Sequence, residues 1–384
     1  MLLIAAVVLA VFAYGVVSAM LGTLLPSYGF SGSQSGVLAL GQSAGLLIAS
    51  LAAGPIIDSI GKKPPLVGGL FVMAASLWAL PNVSGYAATG SLLFLLGLGG
   101  GVMVIAANSL VSSIGAERRA ALLTFTNIFF GLGLIVTPWV STLAGNDPKR
   151  LCFLAACLAT VTFAVHAMTR IPAAQGLTDG GFQMAEAKRL IASPILWLLA
   201  ISQFLYVGCE VGVSNWLASY LMRQGIPQDD ALNILAWRFG LGLLLGRVAC
   251  APLMLRVNPQ VVLLSATIAM TATTWWMLHT TTPGIAVFFA GVAMAPVFPA
   301  TMGILGDAFP KATPTGMSLV VTFGWLGLMA SSPAIGAIAG SDKSNLAQAL
   351  LIFPAFSLAM VFVHLTLRRF LFSTRATEAA AIVS

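Results

Sequence analysis

Residues 54 to 63 of this chain read Gly54-Pro55-Ile56-Ile57-Asp58-Ser59-Ile60-Gly61-Lys62-Lys63, and they join two apolar runs at 34–57 and 65–84. Each run is long enough to cross a bilayer as a helix, which takes about 20 apolar residues. One carboxylate and two lysines interrupt the apolar sequence, and Gly61 allows the sharp turn that brings the second helix back. The stretch therefore predicts a helical hairpin in a membrane.

The composition of the whole chain indicates that lipid is its solvent. Of 384 residues, 59% are hydrophobic and 8% are charged, whereas a soluble protein carries about 25% charged residues. A net charge of +7 would suggest nucleic acid as the partner of a soluble domain, but here the basic residues lie in short loops between apolar runs. We therefore expect an integral, multi-pass membrane protein that binds no nucleic acid.

Twelve apolar runs are long enough to be membrane-spanning helices. None alternates with the period of two that a barrel strand requires, so the predicted fold is an all-α membrane protein with twelve transmembrane helices. The first run has no basic segment before it and no clear cleavage site, and we interpret it as a retained span. The predicted spans are 2–24, 34–57, 65–84, 88–113, 120–143, 151–169, 195–221, 230–254, 259–279, 283–306, 315–338 and 346–367.

The distribution of Lys and Arg predicts the orientation of the chain. With the N-terminus in the cytoplasm, twelve basic residues lie in cytoplasmic segments and four in outer segments, as the positive-inside rule requires. Both termini are therefore expected in the cytoplasm, and the compact loops favour a bacterial inner membrane. The four outer residues are Lys149, Arg150, Arg223 and Lys343.

The two halves of the chain resemble each other. The stretch 170–194 separates six spans in 1–169 from six in 195–384, and we interpret it as a cytoplasmic linker with a short surface helix near Glu186–Arg189. Matches at an offset near 195 residues predict two pseudo-symmetric six-helix bundles, as in transporters with two six-helix halves. The matches are Phe12-Ala13-Tyr14-Gly15 with Phe204-Leu205-Tyr206-Val207-Gly208, and Gly131-Leu132-Gly133 with Trp325-Leu326-Gly327.

The segment 54–63, here called the signature loop, resembles that of the major facilitator superfamily, whose pattern is roughly G-x-x-x-D-R-x-G-R-K. The resemblance implies the fold of that superfamily over the whole chain and a central site that opens alternately to each side. It also implies that Asp58 faces the start of span eleven, near Thr313–Gly316, and favours the outward-open state, whereas the alternative is an ordinary solvated turn. Ser59 departs from the pattern, which has an arginine there. The matching residues, expected to form a conformational switch, are Gly54, Asp58, Gly61, Lys62 and Lys63.

Span seven carries a polar stripe, which we define as Gln203, Tyr206, Glu210 and Ser214. Their spacing of 3, 4 and 4 residues places them on one helical face. A charge at the centre of a bilayer costs about 2.5 to 3.5 kcal/mol or more, so such residues usually face a wet cavity, pair with another charge or take part in transport. We predict that Glu210 carries a coupling proton, and the alternative is a structural ion pair with Arg238.

The string Tyr206-x-Gly208-x-Glu210 followed by Trp216, together with Gly246-Arg247 in span eight, resembles the fucose/glucose-type sugar:proton symporter branch of the superfamily. The resemblance implies a small sugar as substrate and proton symport. The chain departs from the fucose permease pattern because spans one and four contain no acidic residue. If protons drive transport, Glu210 is the one carboxylate deep in a span.

Span eight carries two arginines with different expected roles. Arg238 suits a carboxylate or phosphate ligand through its planar guanidinium, or sugar hydroxyls, and the neighbouring Trp237 is placed to stack on a sugar ring. Arg247 lies deeper toward the cytoplasm, where we expect it to act in the conformational switch or to reach carbonyls or lipid headgroups. The alternative function is therefore an organic anion or drug transporter with Arg238 as the anion contact.

Neutral polar residues in other spans complete the predicted substrate site. Hydroxyls and amides without charge suit a neutral polyhydroxylated solute, although a hydrogen bond between membrane helices is the simpler explanation of each one alone. The predicted substrate-binding residues are Tyr14, Gln42, Asn127, Gln203, Tyr206, Glu210, Trp237, Arg238 and Thr322.

Other functional classes find less support. The four cysteines and three histidines form no CxxC pair and no cluster, so a metal site is not expected, and no P-loop sequence indicates an ATPase. We expect no enzymatic activity and no cofactor. The expected partners of a monomer are a small-molecule substrate, protons or another coupling ion, and the lipid bilayer. A non-transporting membrane receptor or scaffold with the same fold is the alternative of another class.

Overall fold

The computed structural model describes residues 2–28, 30–145, 147–171, 184–340 and 344–383. Within those residues the chain is almost entirely helical and contains no β-strand, which confirms the all-α prediction. A π-helical turn at Ile234–Phe239 joins α9 to α10. The helices are α1 Leu2–Ser27, α2 Gly32–Ile60, α3 Lys63–Ala79, α4 Tyr86–Ile114, α5 Arg119–Leu143, α6 Pro148–Met168, α7 Met184–Ala192, α8 Pro194–Arg223, α9 Gln228–Asn233, α10 Gly240–Leu253, α11 Pro259–His279, α12 Pro283–Met294, α13 Val297–Ala308, α14 Thr313–Ala339, α15 Leu346–Ala349 and α16 Ile352–Val383.

Among the described residues, twelve helical segments are long and apolar enough to cross a membrane, and each corresponds to one predicted span. Span eight combines α9, the π-helical turn and α10, and span ten combines α12 and α13. The agreement has a simple cause, because a span must keep about 20 apolar residues together whatever its neighbours are.

A proline and a glycine account for two of the irregularities in these helices. In span ten, α12 ends at Met294 and α13 begins at Val297, with Pro296 between them, because proline lacks the N–H that a continuous helix requires. Pro138 lies inside α5 and Pro333 inside α14. At the end of α2 the chain turns through Gly61, whose φ of 86° favours glycine.

Contacts divide the chain into two compact units. The first comprises Met1–Glu186 and Lys311–Thr322, and the second comprises Ala187–Pro310 and Phe323–Ser384. The break after Glu186 falls inside the predicted linker, in which residues 172–183 lie outside the described residues. Helix α7, Met184–Ala192, includes the short helix that was predicted near Glu186–Arg189 at the end of the linker.

Each unit uses glycine in the same way to bring two helices together. In the first unit Gly133 of α5 packs on the carbonyl oxygen of Phe12 in α1, and in the second Gly327 of α14 packs on that of Phe204 in α8. A Cβ atom on either glycine would collide with that oxygen. Small residues allow such close approach of membrane helices. These are the segments that match at an offset near 195 residues, so the internal repeat extends to the packing.

A second pair of glycine contacts follows the same repeat. Gly45 of α2 packs on the carbonyl oxygen of Phe94 in α4, and Gly242 of α10 packs on that of Phe288 in α12. Gly41, one turn earlier in α2, makes no such contact among the described residues, because a Cβ atom there would meet no described atom within 4 Å.

Candidate functional site

Glu210 lies near the middle of α8, an apolar helix that begins at Pro194. Its carboxylate oxygen Oε1 lies 3.7 Å from Nη2 of Arg247 in α10. The side chain of Glu210 is 19% exposed and that of Arg247 is 7% exposed, so the pair is largely shielded from solvent. Because an isolated buried ion is costly, each charge offsets part of the desolvation of the other. The pair joins α8 to α10.

The alternative considered for Glu210, an ion pair with Arg238, is wrong, because Arg247 meets the carboxylate. The expectation that Arg247 reaches lipid headgroups is also wrong, because its side chain is buried against Glu210. The π-helical turn contains Arg238. Such a turn includes one extra residue, which rotates the preceding residues by about 100° relative to those that follow. Arg238 therefore does not lie on the helical face that an uninterrupted helix would give it.

The polar stripe on α8 runs from the interior of the second unit toward its surface. Gln203 is 0% exposed and Tyr206 is 1% exposed, whereas Ser214 is exposed and donates to the backbone carbonyl of Glu210 at 3.1 Å. The Tyr206 hydroxyl approaches both Glu210 and Arg247, without reaching the full geometry of a hydrogen bond. The ion pair thus lies where the stripe passes from buried to exposed residues.

Arg238 and Trp237 line a groove with a volume of 510 Å³ at the start of span eight. The Trp237 side chain is 48% exposed, and the groove also holds the carboxylate of Asp230. Glu210 and Arg247 are not among its lining residues. The groove is lined by Ile226, Asp230, Asn233, Ile234, Trp237, Arg238 and Leu241.

The neutral residues predicted to bind substrate in the first unit are held by local contacts. The Tyr14 ring stacks on Phe130 with ring centroids 5.8 Å apart. Asn127 and Thr322 each donate to the backbone carbonyl four positions earlier in their own helix, at 2.8 and 2.7 Å. Gln42 is 7% exposed, and its Oε1 atom has no hydrogen-bond partner among the described residues.

Asp58, near the end of α2, holds the first turn of α14 within the first unit. Its Oδ2 atom accepts hydrogen bonds from the backbone N–H of Thr315 at 3.1 Å and from the Thr315 hydroxyl at 2.5 Å. The first N–H groups of a helix have no partner inside that helix, and a carboxylate there also interacts with the helix dipole, worth about 0.3 to 1 kcal/mol. This is the position that the family pattern implies for Asp58.

Gly54 brings α2 and α14 close together beside Asp58. Its N–H donates to the Ser318 hydroxyl at 3.2 Å, and that hydroxyl donates to the carbonyl oxygens of Ser50 and Leu51. A Cβ atom at position 54 would lie 2.5 Å from the Cβ atom of Ser318. The hydrogen-bonded approach of the two helices therefore depends on glycine.

Lys62 supplies positive charge near Asp58 at the turn after α2. Burial lowers the pKa of Lys62, the Asp58 carboxylate raises it, and Arg119 lowers it again. Ser59, which stands in place of the family arginine, donates at 2.9 Å to a carbonyl of its own helix. Lys63 is the first residue of α3. The charges around Asp58 therefore come from positions other than 59.

Two polar pairs in the second unit are not predicted by the sequence. Asn215 donates to the Ser332 hydroxyl at 3.0 Å, and the Ser202 hydroxyl lies 3.1 Å from Nε2 of His364. The partners are more than 100 residues apart in the chain, so no spacing pattern indicates them. Among the described residues, no group of three His, Cys, Asp or Glu side chains is placed to hold a metal ion.

Residues 3–288 match the Major Facilitator Superfamily, and the chain belongs to that family. It is 31% identical over 224 residues to a glucose/galactose transporter of Brucella abortus, covering 52% of this chain and 53% of the relative. It is 24% identical over 193 residues to protein TsgA of Salmonella arizonae, covering 49% of each. The chain thus spans about half the length of the curated relatives that it matches.

Solved structures share the fold over almost the whole chain. The E. coli fucose:proton symporter FucP superposes with a TM-score of 0.84 at 19% identity, covering 95% of this chain and 98% of FucP. The proton:xylose symporter XylE gives a TM-score of 0.77 at 14% identity, covering 94% of each. The human organic anion transporter MFSD10 gives 0.77 at 15% identity, covering 94% and 98%.

These comparisons confirm the superfamily and the twelve-helix fold predicted from the signature loop and the spans. The sugar-transporter branch predicted from span seven is also represented among the relatives. The protein is therefore an integral, multi-pass membrane protein of the Major Facilitator Superfamily.

Proposed function

We propose that this transporter carries a small neutral sugar by alternating access and couples the movement to a proton on Glu210. The observation that supports the proposal most directly is the Glu210–Arg247 pair, in which the carboxylate side chain is 19% exposed inside an apolar helix. The proposal requires that water reach this partly exposed carboxylate, and the Arg247 cation beside it responds to its charge. We further propose a monomer in a bacterial inner membrane, with both termini in the cytoplasm.

The pair suggests how proton binding is linked to helix packing. At 3.7 Å the Arg247 guanidinium attracts the deprotonated carboxylate, and this attraction joins α8 to α10. When the carboxylate takes up a proton, the attraction is lost and the contact weakens. A coupling ion shifts a conformational equilibrium only through its different affinity for the two states, and the pair provides such a difference.

Two lines of support favour a sugar as the substrate. The predicted binding residues of the first unit offer neutral hydroxyls and amides, which suit a polyhydroxylated solute. The relative from Brucella abortus is a glucose/galactose transporter. FucP and XylE, which share the fold, are symporters of fucose and xylose with protons.

One observation favours a second candidate, the transport of an organic anion. Arg238 and Trp237 both line the groove, and an arginine fork with an aromatic face suits a carboxylate on an apolar body. The Asp230 carboxylate in the same groove opposes an anion, which makes this candidate the weaker one.

Binding to purified protein separates these candidates. We expect D-glucose or D-galactose to raise the thermal unfolding midpoint and benzoate to leave it unchanged, and we expect uptake of the same sugar into proteoliposomes. Stabilisation by benzoate that is lost in Arg238→Lys would favour the organic anion instead. Binding of either ligand without any flux would favour a receptor.

A further inference from the structure

Gln203 carries a buried polar group without a partner. Its side chain is 0% exposed, and neither Oε1 nor Nε2 has a hydrogen-bond partner among the described residues. An unpaired buried amide costs about 1 to 3 kcal/mol. Such groups in native proteins are usually paired with an ordered water molecule or have a role that explains the cost. The burial also argues against the predicted role of Gln203 as a direct substrate contact.

The surroundings of Gln203 supply what a bound water molecule needs. Tyr206 lies one turn further along α8, and its hydroxyl approaches Glu210 and Arg247. Gly324 of α14 packs closely on Gln203, where a Cβ atom would lie 3.1 Å from Cγ and 3.7 Å from Nε2 of Gln203. Because glycine has no side chain, it provides no hydrogen-bond partner for the amide. The amide and the Tyr206 hydroxyl together offer the two to four polar contacts that a buried water makes.

We propose that ordered water bound by Gln203 and Tyr206 forms the first part of the proton path from Glu210. The path rests on the proposed function, since it serves the proton that Glu210 carries. The carboxyl group of Glu210 gives its proton to the Tyr206 oxygen as that hydroxyl gives its own proton to the water. The water in turn gives one proton to bulk water, and Gln203 neither gains nor loses one. Arg247 stabilises the carboxylate that remains.

The test uses Gln203→Met, which keeps the length of the side chain and removes its hydrogen bonds. Wild-type protein and variants are reconstituted in proteoliposomes, and a D-glucose gradient drives proton uptake that an internal pH-sensitive dye reports. We expect Gln203→Met to slow proton uptake about tenfold, equivalent to about 1.4 kcal/mol of barrier, and to leave D-glucose exchange at equal pH unchanged. Gln203→Asn keeps an amide and should retain most of the proton uptake.

Thr301→Val is the matched control. Thr301 is also 0% exposed, and its hydroxyl has no hydrogen-bond partner among the described residues, so it tests whether removing any buried polar group has the same effect. We expect it to keep both activities.

Three results would overturn the path: wild-type proton uptake in Gln203→Met, equal slowing in Thr301→Val, or loss of exchange together with proton uptake in Gln203→Met. A wild-type protein that moves no protons with D-glucose would instead contradict the proposed function, and the path with it.

Discussion

The Glu210–Arg247 pair shows how a single residue contact can be costly to break without being a source of stability. Replacing both members of a buried ion pair with apolar residues is often neutral, because the desolvation of two ions offsets their attraction. Removing one member leaves the other charge buried and uncompensated. The pair therefore holds α8 and α10 in register chiefly through the penalty for separating its charges.

Arg247→Met should lower the stability of the purified protein markedly. Removing one partner of a buried pair costs about 3 to 5 kcal/mol, and the double variant Glu210→Gln with Arg247→Met should regain most of that loss. Thermal unfolding midpoints measure both effects. Arg238→Met is the matched control, because its guanidinium is exposed and its removal should change the midpoint little. Equal midpoints for Arg247→Met and the wild type would contradict the pairing.

Single residues could be predicted from the sequence where their isolation was informative. Glu210 and Asp58 interrupt apolar runs, and both have the structural settings expected of a deep carboxylate and a helix-capping one. The partner of Glu210 could not be predicted, because the choice between Arg238 and Arg247 depends on the rotation of span eight. The Asn215–Ser332 hydrogen bond could not be predicted either, since it depends on which faces of α8 and α14 meet.

At the scale of helices, length and composition are enough to predict the spans, but they do not predict a change of helix type within a span. The sequence of the π-helical turn, Ile234–Phe239, contains neither glycine nor proline, so it predicts a continuous α-helix. The close crossing of α2 and α14 depends on Gly54 and not on Gly41, although both glycines lie in α2.

Two glycines of α2 provide a matched test of that crossing. Gly54→Ala would place a Cβ atom 2.6 Å from the carbonyl oxygen of Pro314, so backbone must move, at a cost of about 1 to 3 kcal/mol. Gly41→Ala has open space among the described residues and should be neutral or stabilising by up to about 1 kcal/mol. Thermal unfolding of the two variants measures the difference. Equal midpoints would count against the contact between α2 and α14.

At the scale of the whole molecule, the repeated glycine contacts show that the duplication read from the sequence extends to the packing of each unit. The superfamily could be predicted because its signature loop is short, local and tied to one turn. The substrate is proposed only as a class, because Asn127 and Thr322 bond to their own helices, and neutral groups of that kind suit many hydroxylated solutes.

The basic residues predict the topology of the whole chain, and reporter fusions test it. Green fluorescent protein fused after Ser384 should fluoresce, because it folds in the cytoplasm, and alkaline phosphatase fused at the same position should be inactive. Alkaline phosphatase fused after Gly340, in a predicted outer loop, is the control and should be active. The reverse pattern would contradict the proposed orientation.

The most direct test of the central claim is D-glucose accumulation driven by a proton gradient in proteoliposomes containing Glu210→Gln. Glutamine keeps the shape of the side chain but has no proton to release, so we expect accumulation to be lost while exchange of D-glucose at equal pH persists. Glu117→Gln, at an exposed acid outside the spans, should accumulate D-glucose as the wild type does. Accumulation by Glu210→Gln at the wild-type level, with unchanged pH dependence, would contradict the assignment of the coupling proton to Glu210.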